Sequence, residues 1–132
     1  MTDEFAFVLK KLHPQLFGFL EEFECGDGWF QIILKYANRL KDYCYCCHIP
    51  IGKNGVYVSQ VKQKFGGIRF HILGDDCIPE NNRPIFYAII HDLEIDSEHT
   101  CEWCGDPGKT RENKNYAVTL CNECVESGAR DV

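Results

Sequence analysis

The chain predicts an α+β fold: N-terminal helices, a central β-hairpin, one further helix and a C-terminal module closed by four cysteines. Three features point there. Apolar residues recur at helical spacing through the first half of the sequence. The period drops to two on both sides of Gly66-Gly67. Two Cys-x2-Cys pairs stand sixteen residues apart near the end of the 132-residue chain.

Phe5, Val8, Leu9 and Leu12 mark the first helix. Pro14 interrupts it and suits the first turn of a second helical segment carrying Leu16, Phe17, Leu20 and Phe23, because proline at that position sacrifices no hydrogen bond. Gly26-Asp27-Gly28 breaks the pattern, with Asp27 placed to cap a new helix. That helix is the most regular, with Phe30, Ile33, Ala37, Leu40 and Cys44 on one stripe. It must end before Pro50, since the residue preceding a proline avoids the α region.

Residues 56–65 and 68–73 read as strands joined by a two-residue Gly66-Gly67 turn of the primed kind, which needs positive φ. That turn pairs Phe65 with Ile68, Gln63 with Phe70 and Val61 with Ile72 on an apolar face. The opposite face pairs Lys64 with Arg69, Lys62 with His71 and Gln60 with Leu73. It is basic in a chain of net charge −6. Exposed strands carry lysine and arginine simply to block edge pairing. The functional alternative is an anion site, for a phosphate-bearing ligand or a nucleic-acid backbone, built from Lys62, Lys64, Gly66, Gly67, Arg69 and His71. An exposed hairpin edge is also a place where two copies of the chain could pair. A further helix starts near Arg83, with Pro84 in its first turn and Ile85, Phe86, Ile89, Ile90 and Leu93 as its apolar side.

The cysteine pattern is Cys101-x2-Cys104 followed by Cys121-x2-Cys124. Each pair turns two sulfurs toward one point, and two such turns complete a tetrahedral four-thiolate set. The expected ion is Zn2+, one per chain, with iron as the minor alternative because soft thiolates accept both. Four thiolates leave no coordination position for water, so this ion is structural rather than catalytic. Gly105 relieves the first turn, and residues 116–120 form a strand leading to the second pair. The organisation is thus a helical domain with a β-hairpin over 1–98 and a zinc-ribbon module over 99–132.

Composition narrows the function. Nine cysteines without a secretion signal read as reduced cytoplasmic thiols. The longest aliphatic run, Ile32-Ile33-Leu34, is too short to span a bilayer. A pI near 5.3 counts against the whole chain as a nucleic-acid binder. An enzyme is not written in the sequence either. No histidine lies between Cys101 and Cys124, as a ribbon nuclease requires, and the His-x-Glu with Pro-Cys-x-x-Cys pattern of nucleobase deaminases is missing. His71 with Asp75 or Asp76 is the residual catalytic candidate, with no matched nucleophile–base pair. Cys44, Cys46 and Cys47 beside His48 look like metal bait, but on a helix Cys46 faces away from the other two. A second ion there would need a partner such as Cys77.

Four segments carry a resemblance: Glu24-Cys25-Gly26-Asp27-Gly28-Trp29, Gln60-Val61-Lys62-Gln63-Lys64-Phe65-Gly66-Gly67-Ile68-Arg69-Phe70, Cys101-Glu102-Trp103-Cys104-Gly105 and Thr119-Leu120-Cys121. Together they resemble a group of small, largely uncharacterised proteins of bacteria and their phages. That group carries a Gly-Asp-Gly-Trp element, a Lys-Phe-Gly-Gly-hydrophobic-Arg-Phe hairpin and a terminal zinc ribbon. The resemblance runs from about residue 24 to 124 and implies a phage or bacterial origin, without an established activity. In that group the last ligand is often histidine; here it is Cys124. The resulting expectation is a non-enzymatic zinc-binding protein that recognises a host protein or a phosphate-bearing small ligand through its basic hairpin face. A phage-encoded inhibitor or sequestering protein acting on host defence fits that expectation. Nucleic-acid binding by the ribbon or hairpin is the alternative.

Overall fold

In the computed structural model, which describes residues 1–112 and 115–128, the chain runs α1 (Asp3–Leu12), β1 (Phe23–Glu24), α2 (Phe30–Cys46), β2 (Tyr57–Lys64), β3 (Gly67–Leu73), α3 (Arg83–Ser97), β4 (Lys109–Glu112), β5 (Ala117–Leu120) and α4 (Asn122–Glu126). This is an α+β fold ending in a zinc-ribbon-like four-cysteine cluster. Of the 99–132 module, residues 113–114 and 129–132 lie outside the described residues.

The stripe on α2 explains its position. Phe30, Ile33, Ala37, Leu40 and Cys44 are each 9% exposed or less. α3 packs against α2 and buries Phe86, Ile89, Ile90 and Leu93, while Ile85, assigned to the same side from the sequence, stays outside. Side chains of this size contribute on the order of 1.5–3 kcal/mol each when fully buried. The main core lies wholly within 1–98; a second, small apolar cluster of Val118 and Leu120 surrounds Cys101, Cys121 and Cys124. Among the described residues, no helix is long and apolar enough to cross a membrane.

Two local expectations change. Residues 14–20 are not a second helix. His13 leaves the helical region, and Gly18 comes so close to Pro14 that a Cβ would sit 2.4 Å from its carbonyl oxygen. Leu16, Phe17 and Leu20 are buried all the same, and Phe23 is buried from a strand, β1, that pairs parallel with β2. Asp27 does not cap α2. Its Oδ1 accepts the Thr2 amide at 2.6 Å at the entrance to α1, and α2 is entered through a 3-10 turn over Asp27–Trp29.

His13 closes one end of the core. It is 5% exposed, with its Nε2 facing Asn38 Oδ1 at 2.7 Å. Burial, opposed in part by the Asn38 bond, holds its pKa below the ordinary 6.5. The unfolded chain therefore binds this proton at higher pH than the folded one. Stability from His13 is lost as pH falls through 6.5 toward the lowered folded value, and changes no further below it. A urea midpoint that declines across this window, and declines less in His13→Gln, is the expected result.

The hairpin forms with its register displaced by two residues. Lys64 faces Gly67, Gln63 faces Ile68, Lys62 faces Arg69, Val61 faces Phe70 and Gln60 faces His71. The turn is therefore Phe65-Gly66, with φ of 55° and 83°, rather than Gly66-Gly67. Side chains alternate with period two, so a slip of two leaves each residue on its expected face. Val61, Ile68 and Phe70 pack inward; Phe65, expected to join them, is 73% exposed at the tip. A bulge at Ser59 lets Val58 face inward as well. The outer edge of β3 is not open near the tip, because Ile68 N–H donates to Ser97 Oγ at 2.9 Å.

Candidate metal centre

The β4–β5 pair holds two turns side by side. At the first, Gly105 N–H donates to the Cys101 carbonyl at 2.9 Å and Cys101 N–H to that of Asp106 at 2.7 Å, with Gly105 at φ 88° as its role in the turn requires. At the second, Cys121 precedes α4 and its Sγ accepts the Cys124 amide at 3.4 Å, capping that short helix. Asp106 N–H likewise donates to Cys104 Sγ at 3.5 Å.

All four sulfurs lie within 4.8 Å of one another, and Cys104 Sγ to Cys121 Sγ is 3.6 Å. A tetrahedral ion with metal–sulfur distances of about 2.3 Å sets its sulfurs about 3.8 Å apart. A disulfide needs about 2.05 Å, and all nine cysteines are free thiols. The donor set therefore fits one metal ion. Cys101, Cys121 and Cys124 are buried, and Cys104 is the ligand that reaches solvent.

The thiols themselves respond to this crowding. Burial raises Cys101, but backbone amides of Cys104, Cys121 and Trp103 outweigh it and bring the thiol down to about 7. The Asp106 amide favours the Cys104 thiolate, yet burial and the Cys121 and Cys101 sulfurs push it up to about 11. Cys124 is pushed higher still, by burial and then by the other three sulfurs. Cys101 thus sheds its proton readily, while Cys104 and Cys124 resist losing theirs until a cation neutralises the charge.

The Gly-Asp-Gly-Trp element braces the first turn. Gly26 N–H donates to Glu102 Oε2 at 2.9 Å, Gly28 N–H to the Glu102 carbonyl at 2.8 Å, and Trp29 Nε1 to the Thr100 carbonyl at 2.9 Å. Glu102 N–H in turn donates to the Thr119 carbonyl of β5 at 2.9 Å. A Cβ on Gly26 would lie 2.3 Å from the Glu102 carbonyl oxygen, and one on Gly28 2.2 Å from that of Cys101. Both glycines are thus needed for backbone to press on backbone. In the sequence this element showed only as a break and a shared motif. Glu102, between two ligands, gave no sign that its side chain is buried.

The hairpin tip docks on the ribbon from the other side. Thr119 Oγ1 donates to the Gly66 carbonyl, Thr110 Oγ1 meets Thr119 Oγ1 at 2.9 Å, and Gln63 Nε2 donates to the Ala117 carbonyl. A Cβ on Gly66 would lie 2.7 Å from Thr110 Cγ2, and one on Gly67 3.2 Å from Glu98 Oε1. The nearest neighbours of both glycines are therefore protein atoms.

Lys62, Lys64, Arg69 and His71 share the outer face of the sheet, with Lys62 directly opposite Arg69. Lys64 and His71 are exposed; Lys62 and Arg69 are half-buried. Glu24 of β1 stands beside Lys62 in register and accepts from Gln60 Nε2 at 3.2 Å. Of the residues weighed with His71 as a catalytic pair, Asp75 accepts a hydrogen bond from Tyr87 at 3.1 Å. Cys44 is buried and pushed up to about 11 by burial and then by Cys47, an inert thiol; Cys46 points to solvent, and Cys77 Sγ lies 3.7 Å from the Asn54 carbonyl. Among the described residues, no group of three metal-ligating side chains forms there. No family model, curated protein or solved structure matches the chain.

Proposed function

We propose that this is a non-enzymatic zinc-binding protein of the cytoplasm that recognises an anionic ligand or partner through the outer face of its sheet. Zinc is the ion that four thiolates in a closed tetrahedral set hold as a redox-inert staple. Nine unpaired thiols fit a reducing compartment. The observation that carries the recognition reading is the cross-strand pair of Lys62 and Arg69. Like charges directly opposite one another destabilise a sheet, by a few tenths to about 1 kcal/mol. Lys64 and His71 add to the same face, and neither strand of the hairpin contains an acidic residue. Glu24 offsets Lys62 from the neighbouring strand; an anion seated over the pair would remove the remaining cost. In biological terms we infer an inhibitor or sequestering protein directed at host defence, a setting that rests on the motif resemblance alone.

Pyrophosphate is the simplest probe. It should raise the melting temperature of the metal-loaded wild type saturably. The double variant Lys62→Glu/Lys64→Glu should keep its fold and metal content and bind at least about tenfold more weakly. Equal responses from the two proteins would sink the reading.

A further inference from the structure

Phe65 is an unusual residue for its place. The first central position of a type I′ turn favours asparagine, aspartate or glycine, because positive φ strains a bulky side chain. Phe65 nevertheless holds φ 55°, and the residue is 73% exposed. The tip is not a loose end that happens to carry an aromatic ring. The next residue, Gly66, is bonded to Thr119 and pressed on Thr110, so the ribbon holds the turn in place. Lys64 Nζ stands 5.6 Å from the ring centroid, and Lys62 and Arg69 continue the cationic row away from it along the sheet. A braced, solvent-facing ring at the end of a row of cations matches a ligand with one flat apolar face and attached negative charge.

We propose that Phe65 stacks on a nucleobase while Lys62, Lys64 and Arg69 hold the phosphates joined to it. This rests on the anion reading of the sheet face and adds the base. The ligand is then a nucleobase-bearing phosphate, either a free nucleotide or a single strand. Stacking on an aromatic ring accepts every base, so little preference among bases is expected. Glu24 stands beside Lys62, and Glu98 lies at Gly67, the residue opposite Lys64, so phosphates reach Lys64 and Arg69 by displacing the flexible Glu98 side chain.

The test uses the metal-loaded full chain, Phe65→Asn and Lys62→Glu/Lys64→Glu, with pyrophosphate, adenosine diphosphate, octathymidylate and an abasic octamer as probes. Asparagine tolerates positive φ, so Phe65→Asn should fold at least as well as the wild type. The wild type should bind adenosine diphosphate at least about fivefold tighter than pyrophosphate. Phe65→Asn should bind the two alike, with its pyrophosphate affinity unchanged. Octathymidylate binding tighter than both the diphosphate and the abasic octamer assigns a single strand; no gain over the diphosphate assigns a free nucleotide. A wild type that binds pyrophosphate and adenosine diphosphate equally, or a Phe65→Asn variant that keeps the difference, overturns the role of Phe65 and leaves the anion reading standing. A wild type that binds none of the probes overturns both.

Discussion

Cys101→Ser is expected to unfold the ribbon and to free the hairpin tip and the Gly26-Asp27-Gly28 turn that rest on it. The reason is how little else holds the ribbon. Among the described residues, its own apolar cluster has just Val118 and Leu120 buried among the ligands, with Val125 packed alongside. Structural zinc sites in small modules supply about 10–16 kcal/mol, which is comparable with the whole stability of a typical domain. Without the ion, four thiols crowded within 4.8 Å are held by a few turns. The core within 1–98 has its own closed set of contacts and should persist. Hydrogen exchange distinguishes the two regions. The amides of Glu102 and Gly28, whose bonds cross the first turn, should lose protection in Cys101→Ser and in chelator-treated wild type. The amide of Ile33 in α2 should keep it. Unchanged protection at Glu102 and Gly28 would show that the metal is not what holds the ribbon.

Gly28→Ala is expected to cost about 3 kcal/mol and to loosen the metal, although Gly28 is not a ligand. Its added Cβ would lie 2.2 Å from the Cys101 carbonyl oxygen, 2.6 Å from the Gly105 amide nitrogen and 2.7 Å from the Glu102 carbonyl carbon. These are backbone atoms of the metal-binding turn, so no side-chain rotation relieves the overlap. Gly67→Ala is the control. Its Cβ would meet the end of the flexible Glu98 side chain at 3.2 Å, which can move aside, and the cost should stay below about 1 kcal/mol. Urea midpoints together with zinc retention against a competing chelator check both. A Gly28→Ala protein as stable and as metal-tight as Gly67→Ala would refute the bracing role of the Gly-Asp-Gly-Trp element.

The parts of this protein legible in its sequence are those set by local period or spacing. The α2 stripe, the inward side of α3 apart from Ile85, and the four-cysteine pattern appear where the residues place them. The sharing of one outer face by Lys62, Lys64, Arg69 and His71 was legible too, because it depends only on alternation. The register was not. Local turn chemistry favours Gly66-Gly67, and nothing nearby in the chain says that Gly66 must lie against Thr110 and Thr119, residues forty and more positions away. That long-range contact is satisfied with Phe65 in the turn. β1 escaped notice because two residues have no period, and β4 because Lys-Thr-Arg-Glu has no apolar alternation. Glu102 was invisible for the same reason as the register: a carboxylate buried by Gly26 and the first cysteine turn is defined by a segment some seventy-six positions earlier.

The measurement that bears most directly on the account is the native mass of the untagged chain, purified without chelator, set beside its denatured mass. One zinc ion per chain, lost on denaturation and absent from Cys101→Ser, is the result the proposed function predicts. A native mass equal to the denatured one, in a protein that is nonetheless folded through residue 128, would contradict it.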